Sequence, residues 1–196
     1  MSEAPKRATY QDLLQTPEHQ IAEIINGRVQ VSPRPAKPHA AAASALGEEL
    51  GPPFKRGRGG PGGWIILWEP ELHLGDHVLV PDLAGWRRER MPVLTNDEPF
   101  FSVAPDWICE VVSPSTERSD RSEKLPIYGS FDVSHAWIVN PLHQTLEIFE
   151  WASRTQWLLL NVFSGNARVR AKPFDAIELD LGTLWADVEL GDPNQK

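Results

Sequence analysis

Trp107-Ile-Cys-Glu-Val-Val112 is the segment that leaves this chain the fewest options. It is short, apolar and closed by Ser113-Pro114-Ser115, which reads as a strand buried on both faces. Side chains alternate along a strand, so Ile108, Glu110 and Val112 share one face while Trp107, Cys109 and Val111 share the other. A carboxylate between large apolar neighbours is costly to bury alone, and such groups are paired, metal-bound or neutralised. The competing reading is an edge strand that turns Glu110 to water.

Around this segment the pattern alternates between sheet and helix. Thr9 can cap a short helix over residues 9 to 15, with Asp12 completing a variant of the capping box. Ile21–Ile25 and Arg28–Val31, joined by Asn26-Gly27, predict a hairpin with a type I′ turn. Pro38 can open a helix that runs through His39 and the alanines to Leu50, where Gly51-Pro52-Pro53 should stop it. Residues 55 to 63 read as a flexible basic loop, a linker in preference to a set of cations (Lys55, Arg56, Arg58) for a nucleic-acid backbone. Strand signals follow at 64 to 68, 71 to 74 and 78 to 86. Beyond residues 107 to 112 come a helix at 119 to 128 and strands at 136 to 139, 145 to 151 and 156 to 163. A short helix near Leu184 closes the series. This order predicts an α/β (α+β) domain, a mixed central β-sheet flanked by helices, with an N-terminal helix and hairpin. At 196 residues, one domain over 1–196 with its core at roughly 9–190 is expected.

Several classes are disfavoured. The longest apolar run, Trp64–Trp68, is far too short to cross a bilayer, and Met1–Arg7 is not followed by the apolar stretch of a secretory signal. A cytoplasmic protein without membrane contact is therefore expected. The single cysteine, Cys109, allows no internal disulfide and reads as a buried small hydrophobe. Gly57–Gly63 lacks the Gly-Lys-Ser/Thr ending of a phosphate loop. His73 and His77 lie in a strand-turn region where their spacing gives no shared helical face for zinc, and no Gly-x-Ser-x-Gly elbow is present. The net charge of −8 runs against extended DNA binding, although excess carboxylates suit a site that holds a cation.

Two further residues draw attention to Glu110. Asp82 lies in Val78-Leu-Val-Pro-Asp-Leu-Ala84, where Pro81 cannot donate to a ladder and implies a bulge or strand end. Two acids from two buried strands, with a main-chain carbonyl and waters, would make an oxygen shell suited to Mg²⁺ or Mn²⁺. Lys124 shares a helix face with Asp120 and Tyr128. That face either looks back at the sheet or leaves Lys124 exposed beside Asp120 or Glu123.

Pro81-Asp82, Glu110-Val-Val-Ser-Pro-Ser-Thr116, Asp120, Lys124 and Tyr128 together resemble the Uma-two-type family of restriction endonucleases, within the PD-(D/E)XK nuclease superfamily. The resemblance begins at Glu23-Ile-Ile-Asn-Gly27, passes through His39 and reaches Ala136-Trp-Ile-Val-Asn-Pro141. It implies a restriction endonuclease-like core and metal-dependent hydrolysis of DNA. Asp82, Glu110 and the carbonyl of Val111 would bind Mg²⁺ or Mn²⁺, and Lys124 would orient water or stabilise the transition state. Glu23, His39, Asp120 and Tyr128 would support them. Two departures stand out. The superfamily lysine position, two after the acid, is Val112, so the amine must come from Lys124; and Asn140 stands where an aspartate is expected. Arg87, Arg88 and Arg121 are candidate nucleic-acid contacts, the first two with Arg90 as a basic rim or a solvated charge run. A homodimer is expected, because cutting both strands calls for two sites. The alternatives are a nuclease-like binding or scaffold module without catalysis, and an enzyme acting on a small acidic or phosphorylated substrate.

Overall fold

A two-residue turn sets the first piece of architecture. Asn26 and Gly27 take φ of 53° and 74°, which folds β1 (Gln20–Ile25) straight back onto β2 (Arg28–Pro33). The computed structural model describes residues 7–17 and 19–189. Ahead of this hairpin, α1 (Tyr10–Leu13) carries the expected capping box between Thr9 and Asp12. β4 (Leu72–Leu74) and β5 (His77–Leu79) complete a four-stranded sheet in the order β2-β1-β5-β4.

The larger sheet has six strands in the order β10-β9-β8-β7-β6-β3. Its members are β3 (Trp64–Trp68), β6 (Leu83–Arg87), β7 (Trp107–Val111), β8 (His135–Asn140), β9 (Thr145–Ala152) and β10 (Gln156–Ser164). Only β7 and β8 run parallel, and the crossover between them is helical: α3 (Glu117–Ser119), a π-turn (Asp120–Lys124) and α4 (Leu125–Ser130). α2 (Lys37–Leu50) covers one face. A short ladder of β11 (Arg168–Val169) with β12 (Leu179–Asp180), and a 3₁₀ turn at Leu181–Trp185, close the described chain. The mixed sheet flanked by helices is as expected.

Each face of the large sheet builds its own core. Trp107, Cys109 and Val111 pack with Leu46 and Leu50 of α2, and with Leu184 and Trp185. Ile108 and Val112 pack the other way, with Leu125, Ile127 and Tyr128 of α4 and Ile25 and Leu79 of the small sheet. Phe174 sits between Trp64, Trp107 and Trp137, with centroids 4.9, 4.9 and 5.6 Å away, tilted or edge-on as aromatic quadrupoles prefer. Cys109 is fully buried, and burial pushes its thiol well above its ordinary pKa. Among the described residues no helix is long and apolar enough to cross a membrane.

Two expectations need correcting. Gly51-Pro52-Pro53 does not stop α2. The helix widens into a π-turn (Gly51–Lys55) in which the Arg56 N–H reaches the Gly51 carbonyl. A wider turn tolerates prolines that would break an α-helical ladder. The loop after it is not a free linker either. Arg58 N–H bonds the Pro52 carbonyl and Gly62 N–H the Pro53 carbonyl, both at 2.8 Å. A Cβ on Gly60 would meet Pro53 at 2.5 Å, so the loop lies tight against the end of the helix.

Candidate active site

Pro81 shapes the site by the hydrogen bond it cannot make. β6 and β7 pair with Leu83 opposite Cys109 and Gly85 opposite Trp107. The Glu69 N–H bonds the Asp82 carbonyl at 3.0 Å, so even-numbered residues there turn their main chain toward β3 and odd-numbered ones toward β7. Continuing the ladder by one pair would set residue 81 against Val111, but proline has no N–H to offer. The pairing ends at Leu83. The Val111 N–H is taken instead by the Asp82 side chain, Oδ2 accepting at 2.7 Å. The Val111 carbonyl points to the same side, and its ladder partner is missing. One proline thus pulls Asp82 onto β7 and frees a carbonyl oxygen beside it.

Glu110, the next residue back along β7, faces the helical crossover and is 2% exposed. Its Oε1 accepts from the Tyr128 hydroxyl at 2.7 Å and from Lys124 Nζ at 3.3 Å. The same amine lies 3.1 Å from Glu23 and 3.2 Å from Asp120. Pro126 explains why these groups meet. Its missing N–H and its ring would disrupt a regular helix, and the backbone widens into the π-turn just before it, with Leu125 N–H bonding the Asp120 carbonyl. Asp120 and Lys124 then both turn toward Glu110, with Tyr128 a turn later. Glu23 is fixed from the other sheet, accepting the Val80 N–H at 2.8 Å. His39, in the first turn of α2, donates from Nε2 to Asp82 Oδ1 at 2.6 Å. Glu23, His39, Asp82, Glu110, Asp120 and Lys124 line one cleft of about 270 Å³.

The charge balance of the cleft is its main property. Burial pushes the carboxyl groups of Glu110, Glu23 and Asp120 above their ordinary range, Glu110 furthest, and Lys124 only partly offsets this. Burial alone would lower the Lys124 amine, but Glu110, Glu23 and Asp120 together hold it well above its usual value. Burial and then the charge of Glu110 likewise raise the Tyr128 phenol. With Asp82 included, four carboxyl groups gather around the Lys124 ammonium, with the Arg34 guanidinium also on the cleft wall. A divalent cation would relieve that excess.

The donor set suits such an ion in a particular way. Among the described residues no three or more His, Cys, Asp or Glu side chains form a ready-made metal cage. The oxygen donors at hand are the Asp82 and Glu110 carboxylates and the Val111 carbonyl, the hard-donor type that Mg²⁺ and Mn²⁺ accept.

The structure brings Asp82, Glu110, Val111, Lys124, Glu23, His39 and Asp120 to one cleft, with Tyr128 bonded to it through Glu110. It does not bring the candidate arginines there. Arg87 lies at the far end of β6, five residues or roughly 17 Å of strand from Asp82, with its guanidinium 4.6 Å over Trp64. Arg88 follows it and Arg90 pairs with Asp106. Arg121 is committed to Glu117 and Glu147. The basic rim expected around the site is absent from these positions. The sequence reading also missed that His39 holds Asp82, because residues 43 positions apart carry no local signal of contact.

Comparison with known proteins decides the family. The profile of the Uma2 family, described as "Putative restriction endonuclease", matches residues 7–182. The chain belongs to this family. Among solved structures it is similar to "a putative nuclease belonging to DUF820" from Anabaena variabilis, with 24% identity over 91% of this chain and 98% of that one and a TM-score of 0.73. That likeness shows the fold. No curated protein matches the chain. Membership in the Uma2 family supports a nuclease function.

Proposed function

We propose that this chain is a metal-dependent endonuclease that hydrolyses phosphodiester bonds in DNA. Asp82, Glu110 and the Val111 carbonyl would hold one Mg²⁺ or Mn²⁺. The observation that carries the reading is the ladder break at Pro81, which sets a carboxylate and a freed carbonyl beside a second, buried carboxylate. When bound, such an ion supplies Lewis acidity to the scissile phosphate and acidifies water. His39 fixes Asp82 in rotation, and Tyr128 does the same for Glu110. Lys124 brings an amine whose carboxylate neighbours favour its charged form, able to orient the attacking water or to meet charge gathering on the phosphate. Glu23 and Asp120 hold that amine in place.

Supercoiled plasmid with millimolar Mn²⁺ tests this. Nicking should appear with metal and vanish with chelator, and Asp82→Ala should remove it by about a thousandfold, the several kcal/mol that metal assistance supplies. Undiminished nicking by Asp82→Ala would sink the assignment.

The same cleft supports a second reading. An ammonium closed in by three carboxyl groups is also what a structural ion cluster looks like, and a nuclease-fold scaffold without catalysis would keep it. Calorimetric titration separates the two, since a scaffold takes up neither Mg²⁺ nor Mn²⁺ at millimolar concentration.

Two-strand cleavage motivates a homodimer, and β10 supports one. It is the outer strand of the large sheet, an uncharged run of nine residues with Leu158, Leu159 and Val162 exposed at 43, 51 and 56%. Open apolar edges are sites of association. Sedimentation should give twice the 22.0 kDa chain mass, and Leu159→Lys should shift it toward the monomer. A monomeric wild type ends the dimer proposal.

A further inference from the structure

The cleft does not end at Asp82. It continues into a shallow groove of about 150 Å³ whose lining includes His39, Ala43, Ser44, Trp68 and Asp82. Trp68 then forms the wall of a second depression, about 200 Å³, shared with Gly51, Pro52, Lys55, Arg56 and Arg58. The two depressions meet at Trp68, so a track leads from the carboxylates, along α2, to the loop that follows it.

Trp68 is unusual for its position. It is the last residue of β3, opposite Leu83, and it is 44% exposed. It is nevertheless firmly seated, since a Cβ on Gly47 would lie 1.9 Å from its ring. The glycine lets the indole rest on bare helix backbone. Lys55 Nζ lies 5.6 Å from the ring centroid and bonds the Ile66 carbonyl at 2.9 Å, covering the open edge of β3. Burial, then the nearby charges of Arg56 and Arg88, draw the Lys55 amine below its ordinary value, so these cations lie within electrostatic reach of one another. Arg56, Arg58 and Arg88 have no carboxylate partner among the described residues, in a chain of net charge −8. Unneutralised cations gathered on one edge beside a fixed, exposed aromatic are the two parts of a single-strand platform: charge for the backbone, an indole for a base.

We propose that this edge, from Trp68 to Arg56 and Arg58, binds a single polynucleotide strand and leads it to the cleft. The proposal rests on the nuclease reading for its direction. It relocates the nucleic-acid contacts from a rim around the site to a track beginning at one side of it. Arg88 and Arg87 extend the same edge at the far end of β3, where Arg87 pairs in register with Trp64.

The test is binding without cleavage. Fluorescein-labelled oligo-dT and oligo-U are titrated by anisotropy in EDTA at several salt concentrations, with a DNA duplex of equal length as the third arm. Single strands should bind more tightly than the duplex, and the two single-strand arms distinguish DNA from RNA. Arg56→Gln/Arg58→Gln, both on the surface, should weaken single-strand binding by about tenfold. The log–log salt slope should fall by about 1.4, or about 0.7 for each phosphate no longer neutralised. Trp68→Ala should cost about tenfold with the slope unchanged; Trp68→Phe, which keeps a stacking ring, should recover most of it if Trp68→Ala disturbs the fold. No binding of any single strand, or an Arg56→Gln/Arg58→Gln protein with unchanged affinity and slope, overturns the track. Because the readout contains no metal, a protein that binds through Arg56 and Arg58 but never nicks plasmid would refute the nuclease reading and leave the track standing.

Discussion

Glu110→Gln should abolish cleavage and at the same time make the metal-free protein more stable. The two effects have one cause. Glu110 is 2% exposed and shares its surroundings with the carboxyl groups of Glu23, Asp120 and Asp82, with a single amine to offset them. Without metal the group must either stay charged where water cannot solvate it or take up a proton against its ordinary preference, and both cost free energy. Glutamine keeps the shape and an oxygen for the Tyr128 hydroxyl, and Lys124 retains Glu23 and Asp120 as partners. Removing the frustrated charge should contribute about 1–2 kcal/mol, or roughly 3–6 °C in Tm for a chain of this length. The metal loses an anionic ligand in exchange, and nicking should fall by about a thousandfold. Differential scanning calorimetry in EDTA and Mn²⁺ titration of the same variant read both arms. A variant that melts lower in EDTA would show that Glu110 is a structural ion-pair partner and not a group held ready for a cation.

How much of this was legible without coordinates differs residue by residue. Alternation groups Glu110 with Ile108 and Val112 and favours a buried carboxylate, but an edge strand with Glu110 turned to water stays open until the register of the sheet is known. The Asn26-Gly27 turn was legible, since few residue pairs accept two positive φ angles. Lys124 was harder. Helical spacing groups it with Asp120 and Tyr128 but cannot say which way that face looks, and the answer depends on a π-turn forced by Pro126. Resemblance to a family supplied what periodicity could not. Pro81 was recognised as a break in a strand. That its missing N–H belonged opposite Val111 required the register of β6 on β7, which local sequence does not encode. The arginines show the same limit in reverse. Arg87 and Arg88 follow Asp82 closely in the chain, but five extended residues carry them to the other end of the strand. Gly51-Pro52-Pro53 read as a stop because prolines break α-helices, whereas a π-turn accommodates them.

Lys124→Ala provides the complementary expectation, and its pH dependence has a definite sign. The variant removes the ammonium paired with Glu23, Glu110 and Asp120, and losing one side of a buried charge cluster costs about 3–5 kcal/mol, or about 10 °C in Tm. The acids already have native pKa values raised by burial above the ordinary 4.5 of a glutamate, and without Lys124 they should rise further. A group whose native pKa exceeds its unfolded one binds more protons in the folded state, so stability is retained at low pH and lost as pH climbs from about 4.5 through the native value. The destabilisation of Lys124→Ala should therefore be small near pH 4.5 and large at pH 7, measured by thermal melts across that range. A divalent ion should reverse part of the loss, since it supplies the missing charge to the folded state alone. At a hundred times its Kd the recovery is about 2.7 kcal/mol. Mn²⁺ should raise the Tm of Lys124→Ala more than that of the wild type, because no ammonium competes for the same carboxylates, yet nicking should stay absent. Glu110→Gln fails to bind metal and Lys124→Ala binds it without turnover, and that separation would divide the site into ion holders and a group acting on the phosphate or its water. A Lys124→Ala protein with flat stability between pH 4.5 and 7 would mean the acids are not packed against each other, and the charge argument for a cation would fall with it.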